Sequence, residues 1–284
     1  MAGKKARVVA ASSGSAPAKG ITEKEVRDVE ELSTPRTPVI YEIVRKHGDE
    51  EMDRPAFSLW WSGVAAGLGI SFSVLAQAIL QQHLPDAGWK PLIASFGYAF
   101  GFLIVILGRQ QLFTESTITA VLPVISDLRP AMVVRMLRMW GIVLAANLVG
   151  TLFAALFCTL TPVTTPEYLE QMLSLGRHVM ALTWMERLCR GIAAGFLIAA
   201  LVWIRPAAEG SQVALITAMT YLIAVTGSTH IVAGSMEVFL LMVNGELSPL
   251  ATLGQFLVPV LAGNIIGGTA LFGLLAYGQV VKEM

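Results

Sequence analysis

Charge is what this sequence has least of. Asp, Glu, Lys and Arg make up 14% of the 284 residues, against ~25% in an ordinary soluble domain. Twenty basic residues balance twenty acidic ones, so no net positive field exists to draw in nucleic acid. The two cysteines, Cys158 and Cys189, sit in apolar or membrane-edge stretches without metal-ligand spacing and read as packing residues. Only four histidines occur. None is paired as in H-E-x-x-H, and no G-x-S-x-G elbow or nucleotide-binding loop is present. Zinc hydrolysis, serine hydrolysis and ATP-driven pumping therefore have no sequence support, and no metal or cofactor is expected. Ser228 or Ser235 near His230 is the one nucleophile pairing available, and an enzyme is not the expectation. The N-terminal stretch is not expected to act as a signal peptide: Lys4, Lys5 and Arg7 precede only a few apolar residues, short of the usual hydrophobic region.

What is present in excess is apolar surface, at 55% of residues. Lipid is the solvent that tolerates it. The chain predicts an all-α integral membrane protein with six spans: Phe57–Leu80, Pro91–Ser126, Met132–Leu160, Thr183–Ile204, Val213–Val243 and Phe256–Val280. The second and fifth regions run to 36 and 31 residues, where about 20 suffice to cross. Each is polar in its middle, RQQLFTEST at 109–117 and TGSTH at 226–230. Two half-helices joined by irregular backbone account for both features. Such backbone is tolerated at membrane depth only inside protein or beside water.

Residues 1–56 form a charged tail ahead of a channel domain at 57–284. ASSGSAPAKG is low-complexity and largely disordered in expectation. Ile21–Leu32 can form a charged amphipathic helix, and Thr37–Asp53 a short interfacial one. Fifteen Lys and Arg fall on the side of the termini and four on the other, with Arg109 inside the second region. That bias puts both termini in the cytoplasm, although the tail supplies ten of the fifteen.

The halves echo each other. GVAAG at 63–67 matches GIAAG at 191–195, and Asn147-Leu-Val-Gly150-Thr151 matches Asn264-Ile-Ile-Gly267-Gly268-Thr269. Asn147 to Asn264 is 117 positions, as is Phe113 to His230, which pairs those residues as equivalents. Three spans per half invert the second copy, giving a 3+3 inverted repeat with its pathway near the midplane. Recurring G-x-x-x-G spacings let helix backbones approach closely.

At LFT (112–114), His230 and GNIIGGT (263–269) the chain resembles the formate/nitrite transporter family. The resemblance covers roughly Ser58 to Tyr277. It implies an aquaporin-like outline and a homopentamer in the bacterial inner membrane, each protomer with its own pore. It implies that His230 is the central pore histidine, Thr114 the pore threonine, and Leu112, Phe102, Tyr98 and Ile223 constriction residues. It also places Gln212, at a vestibule position, where the family commonly has lysine, and Gly234 where it commonly has asparagine. Glu115 stands where a small polar residue is usual, and Arg109 where a small one is. The chain thus looks like a divergent branch.

An anion crossing an apolar pore needs its charge offset, by half-helix N-termini or by a proton. His230 is a plausible proton partner or a neutral hydrogen-bonded core residue. Thr114 is able both to line the pore and to cap its half-helix. Glu115, Glu237 and Arg109 are ionisable groups at membrane depth, and Arg109 is expected to pair with Glu115 or Glu237. The leading expectation is a channel or proton-linked transporter for small monovalent anions such as formate, nitrite or hydrosulfide. A pore for small neutral solutes and a non-conducting membrane scaffold are the alternatives.

Overall fold

The computed structural model describes residues 35–283, and every regular element in that range is helical. In chain order these are α1 (Thr37–Met52), α2 (Ala56–His83), α3 (Lys90–Leu107), α4 (Phe113–Ser126) and α5 (Pro130–Leu160). They continue with α6 (Pro166–Met180), α7 (Trp184–Ile204), α8 (Gln212–Val225), α9 (Ile231–Val243) and α10 (Pro249–Val280). The expected helix at Ile21–Leu32 lies outside the described residues.

Helices α2, α5 and α10 contain 28, 31 and 32 residues, which at 1.5 Å each exceeds a hydrocarbon core of ~30 Å. Helix α7 also crosses, and the pairs α3–α4 and α8–α9 supply the two broken spans. The fold is therefore six membrane-spanning segments with the second and fifth interrupted. Apolar side chains such as Leu128, Val134, Phe153, Leu160 and Leu275 are exposed on the outside, where lipid removes them from water.

Both interruptions are built alike. Helix α3 ends in a Schellman arrangement: Gln110 N–H donates to Val105 C=O at 3.0 Å and Arg109 N–H to Ile106 C=O at 3.2 Å. Helix α8 repeats it, Ser228 N–H to Ile223 C=O and Gly227 N–H to Ala224 C=O, each at 3.0 Å. That motif requires a left-handed residue, and here these are Arg109 (φ 51°) and Gly227 (φ 63°).

The repeat holds, with one correction to its register. The loops correspond at 118 positions, so His230 is equivalent to Leu112 rather than to Phe113: Leu112 and His230 share extended backbone and each immediately precedes a half-helix. Asn147 and Asn264 still correspond at 117, but Thr151 and Thr269 correspond at 118. The extra residue is absorbed by a π-helical stretch at Ile266–Gly273, where widening of the turn accommodates an insertion.

The small-residue spacings close helix pairs as expected. A Cβ on Gly67 would lie 2.3 Å from Asn147 C=O, and one on Gly195 2.3 Å from Asn264 C=O. Helix α2 thus lies directly on α5 in the first half, and α7 on α10 in the second.

Two features escape the sequence reading. Helix α6 fills residues to which no element was assigned. Its signals were Thr165, which caps Tyr168 N–H at 3.4 Å, then Pro166, and the apolar spacing of Met172, Leu173 and Gly176, all buried. Helix α1 forms where an interfacial helix was expected, but it packs on the membrane body. Tyr41 lies against Trp203 and Tyr277. Gly48 sits so close to Thr119 C=O that a Cβ would come within 1.8 Å of it. Of the cysteines, Cys158 is half-buried, whereas Cys189 is exposed.

Candidate functional site

The two broken segments are held by one asparagine in each half. Asn147 Oδ1 accepts from Phe113 N–H at 2.9 Å, while Nδ2 donates to Gly63 and Gln111 C=O at 2.8 Å. Asn264 Oδ1 accepts from Ile231 N–H at 2.8 Å, while Nδ2 donates to Gly191 C=O at 2.8 Å and Thr229 C=O at 2.9 Å. Each side chain satisfies irregular backbone that lipid could not solvate. Cross-ties then join the halves: Thr151 Oγ1 lies 2.9 Å from Ser235 Oγ, and Thr269 O–H donates to Thr117 C=O at 2.6 Å.

This bracing brings the first residues of α4 and α9 together at the centre. Their contact is the hydrogen bond between Thr114 Oγ1 and His230 Nε2, 2.7 Å long and fully buried. His230 Nδ1 accepts from Ala233 N–H at 3.2 Å, so the imidazole caps α9. With Nδ1 accepting, the ring proton of the neutral form sits on Nε2 and donates to Thr114 Oγ1. The Thr114 hydroxyl proton is left for another acceptor. Two helix N-termini, each with positive dipole character, converge on this point.

Above the pair stand aromatic rings. Phe102 meets the His230 ring edge-on, centroids 5.0 Å apart, and Tyr98 lies 5.2 Å from Phe102. Phe102, Leu112 and Ile223 are fully buried in one apolar cluster with Tyr98. Tyr98, Phe102, His230 and Thr114 thus form a continuous line. Gln212 does not join it. That residue lies at the start of α8 in a wide open groove with Phe96, Leu107, Glu209 and Tyr221.

The expected pairing of Arg109 with Glu115 or Glu237 is wrong. Glu115 pairs with Arg205 at 3.1 Å. The left-handed backbone at Arg109 turns its side chain outward, where it is exposed and forms no ion pair among the described residues. Arg205, at the end of α7, reaches the first turn of α4, a contact between residues 90 positions apart that no local spacing could signal. Glu237 makes neither a hydrogen bond nor an ion pair among the described residues and faces a cavity beside His230.

A second network sits under α4, on the α1 side, and sequence reasoning missed it. Glu51 of α1 accepts from Gln111 Nε2 at 2.7 Å and from the Thr119 hydroxyl at 3.1 Å, and pairs with His47 at 3.2 Å. Burial pushes the Glu51 carboxyl up, but its bonds to His47, Gln111 and Thr119 outweigh this and hold it below the usual carboxylate value. The bond to Glu51 raises His47 above its ordinary value despite desolvation. At the opposite end, Arg187 is buried and gives its donors to the carbonyls of Val179, Met180, Leu182 and Gln255, fastening α6 to α7 and α10.

Comparison with known proteins decides the family. The model of the family described as "Formate/nitrite transporter" matches residues 38–278. The chain belongs to the formate/nitrite transporter family. It is 40% identical over 261 residues to "Inner membrane protein YfdC" of Escherichia coli (strain K12), covering 92% of this chain and 84% of that one. It is 26% identical over 247 residues to "Formate channel FocA" of Haemophilus influenzae, covering 78% and 86%. Two solved structures share the fold: an "FNT family ion channel" (TM-score 0.74, 19% identity, 84% of this chain and 98% of that one) and a "Pentameric formate channel with formate bound" (TM-score 0.68, 17% identity, 80% and 98%). Family membership establishes the chain as a multi-pass membrane protein of a transporter and channel family.

Proposed function

We propose that this member of the formate/nitrite transporter family conducts small monovalent anions of the formate, nitrite and hydrosulfide class, each protomer of a homopentamer carrying its own pathway. The pathway runs past Tyr98, Phe102 and Ile223 to His230 and Thr114, and on past Leu112. One observation carries this reading: two half-helix N-termini meet at the buried Thr114–His230 hydrogen bond. Converging dipoles lower the cost of an anion there, and the Thr114 hydroxyl has a proton to donate. The aromatic and aliphatic groups on either side exclude water. The relatives named as formate channels support the substrate class, and the pentameric neighbour the assembly. The Escherichia coli relative's name and the Lys and Arg bias support an inner-membrane location with cytoplasmic termini.

A second reading, a pore for small neutral solutes, is favoured by Glu237, an unpartnered carboxyl beside the pathway. Flux into proteoliposomes separates the two. Formate and nitrite uptake that is lost in His230→Asn, with glycerol and urea excluded, is the expected result. Glycerol or urea uptake without anion flux, in intact oligomers, overturns the anion reading.

A further inference from the structure

Beside His230 lies a cavity of about 90 Å³, lined among others by Tyr98, Val179, Leu182, Gly234 and Phe256. It has room for a few waters or one small solute. Interiors seldom leave a void larger than a water molecule, so the walls of this one must be held apart. Arg187 holds several of them. Its buried guanidinium donates to the carbonyls of Val179 and Met180 at the end of α6, of Leu182 beyond it, and of Gln255 in α10. Its own carbonyl accepts the Thr229 O–H at 2.8 Å, one residue before His230. The bond to Gln255 has a local cause. Pro259 has no N–H to give to the carbonyl four residues back, and Arg187 supplies a donor in its place. The same stretch, Thr252–Leu257, is π-helical, a widened turn frequent at functional sites, and it carries Phe256 against α9. Phe256 is fully buried and its ring rests on Gly234: a Cβ there would come within 2.4 Å of Phe256 Cζ. Gly234 N–H donates to His230 C=O at 2.9 Å, closing the first turn of α9. The ring therefore leans on the turn that carries the histidine. A buried ring seated on backbone has nowhere to withdraw when a bulkier group arrives.

We propose that Phe256, seated on Gly234, sets the size limit of the pathway, admitting formate and triatomic or smaller anions and rejecting acids that carry an alkyl group on the carboxyl. This rests on the reading of the chain as an anion pathway. Formate presents only a hydrogen where acetate presents a methyl and lactate a hydroxyethyl group. In a walled apolar chamber one extra methyl is worth about tenfold or more in discrimination. Selectivity among these acids comes from the space that Phe256 leaves, and not from charge, which all three anions share.

The test uses the full chain in proteoliposomes and reads acetate and lactate flux as ratios to formate flux, above the leak of protein-free vesicles. A ratio does not depend on how much of the protein is folded. Wild type is expected to carry acetate about tenfold more slowly than formate, and lactate more slowly still. Phe256→Ala is expected to raise the acetate-to-formate ratio about tenfold and the lactate-to-formate ratio by more. Phe256→Leu, a milder change, is expected to raise both by less, and it decides the matter if the alanine variant aggregates. Gly234→Ala drives a methyl into the ring and is expected to cut formate flux about tenfold. Adding Phe256→Leu, which removes Cζ, is expected to restore it. Ratios unmoved in both Phe256 variants, formate flux not restored in the paired variant, or a wild type that carries lactate as fast as formate overturns the size limit but leaves the anion pathway standing. Absence of formate flux in intact wild-type oligomers overturns the pathway reading itself.

Discussion

Asn147 and Asn264 make the same three hydrogen bonds in opposite halves of the molecule. Each accepts the first free N–H of a half-helix and donates to one carbonyl of the preceding loop and one of a neighbouring span. Both are fully buried. Replacing either by alanine strands one N–H and two carbonyls without water, at about 1–3 kcal/mol per group before relaxation. Asn147→Ala and Asn264→Ala should each destabilise the protein by ~2–4 kcal/mol. Thermal unfolding in detergent reads this, and a variant as stable as wild type would show that the loops are held some other way.

Glu115 and Arg205 form an ion pair at the first turn of α4, at the foot of the proposed pathway, both largely shielded. Breaking one partner leaves a charge at membrane depth, whereas removing both does not. A double-mutant cycle of Glu115→Gln and Arg205→Gln should give a coupling of ~1–2 kcal/mol, with anion flux retained in the double variant. No coupling, or a selectivity reversed toward cations in Glu115→Gln alone, would assign Glu115 to the pathway.

Arg109 occupies the left-handed position that glycine fills at Gly227. The strain of a side chain there is about 1 kcal/mol, partly offset by the extra freedom glycine has when unfolded. Its guanidinium is exposed and unpaired among the described residues. Arg109→Gly should therefore hold or raise stability, by up to ~1 kcal/mol. A marked loss of stability would reveal a partner for Arg109 in the assembled oligomer.

Docking of α1 should depend on pH from both sides. Glu51 is held below its ordinary 4.5, so its contribution is complete above 4.5 and lost as pH falls through the lower folded value. His47 is raised above its ordinary 6.5, so its contribution is complete below 6.5 and lost as pH rises through the higher folded value. Protection of α1 backbone amides from hydrogen exchange should peak between these limits. Glu51→Gln should remove both edges, and a flat profile in wild type would mean that Tyr41 and Gly48 packing alone holds the helix.

Thr114 is the acceptor for the imidazole proton, and its own hydroxyl proton is free for a solute. Thr114→Val keeps the shape and removes both. Formate flux should fall about tenfold, in keeping with loss of ~1–1.5 kcal/mol of hydrogen bonding along the path. Unchanged flux would mean that His230 acts without it.

Much of this was legible in the sequence because lipid makes the rules strict. A span must be apolar, about 20 residues long and internally hydrogen-bonded. The six spans, the two breaks and the repeated Asn and Gly positions therefore stand out in the order of residues alone. Thr114 and His230 stand out too, as polar groups in the middle of overlong apolar regions, although a pore role for them is implied only by the family resemblance. The register of the repeat did not show, because the offset between the halves is 118 at the loops, 117 at the asparagines and 118 again across the π-helical turn at Ile266–Gly273. Only the tertiary structure decided which charges meet. Arg205 answers Glu115 across 90 positions, Glu51 reaches Gln111 across 60, and Glu237 is left without a partner. Long side chains reach whatever packing brings near them, and packing depends on where helices cross rather than on spacing along the chain.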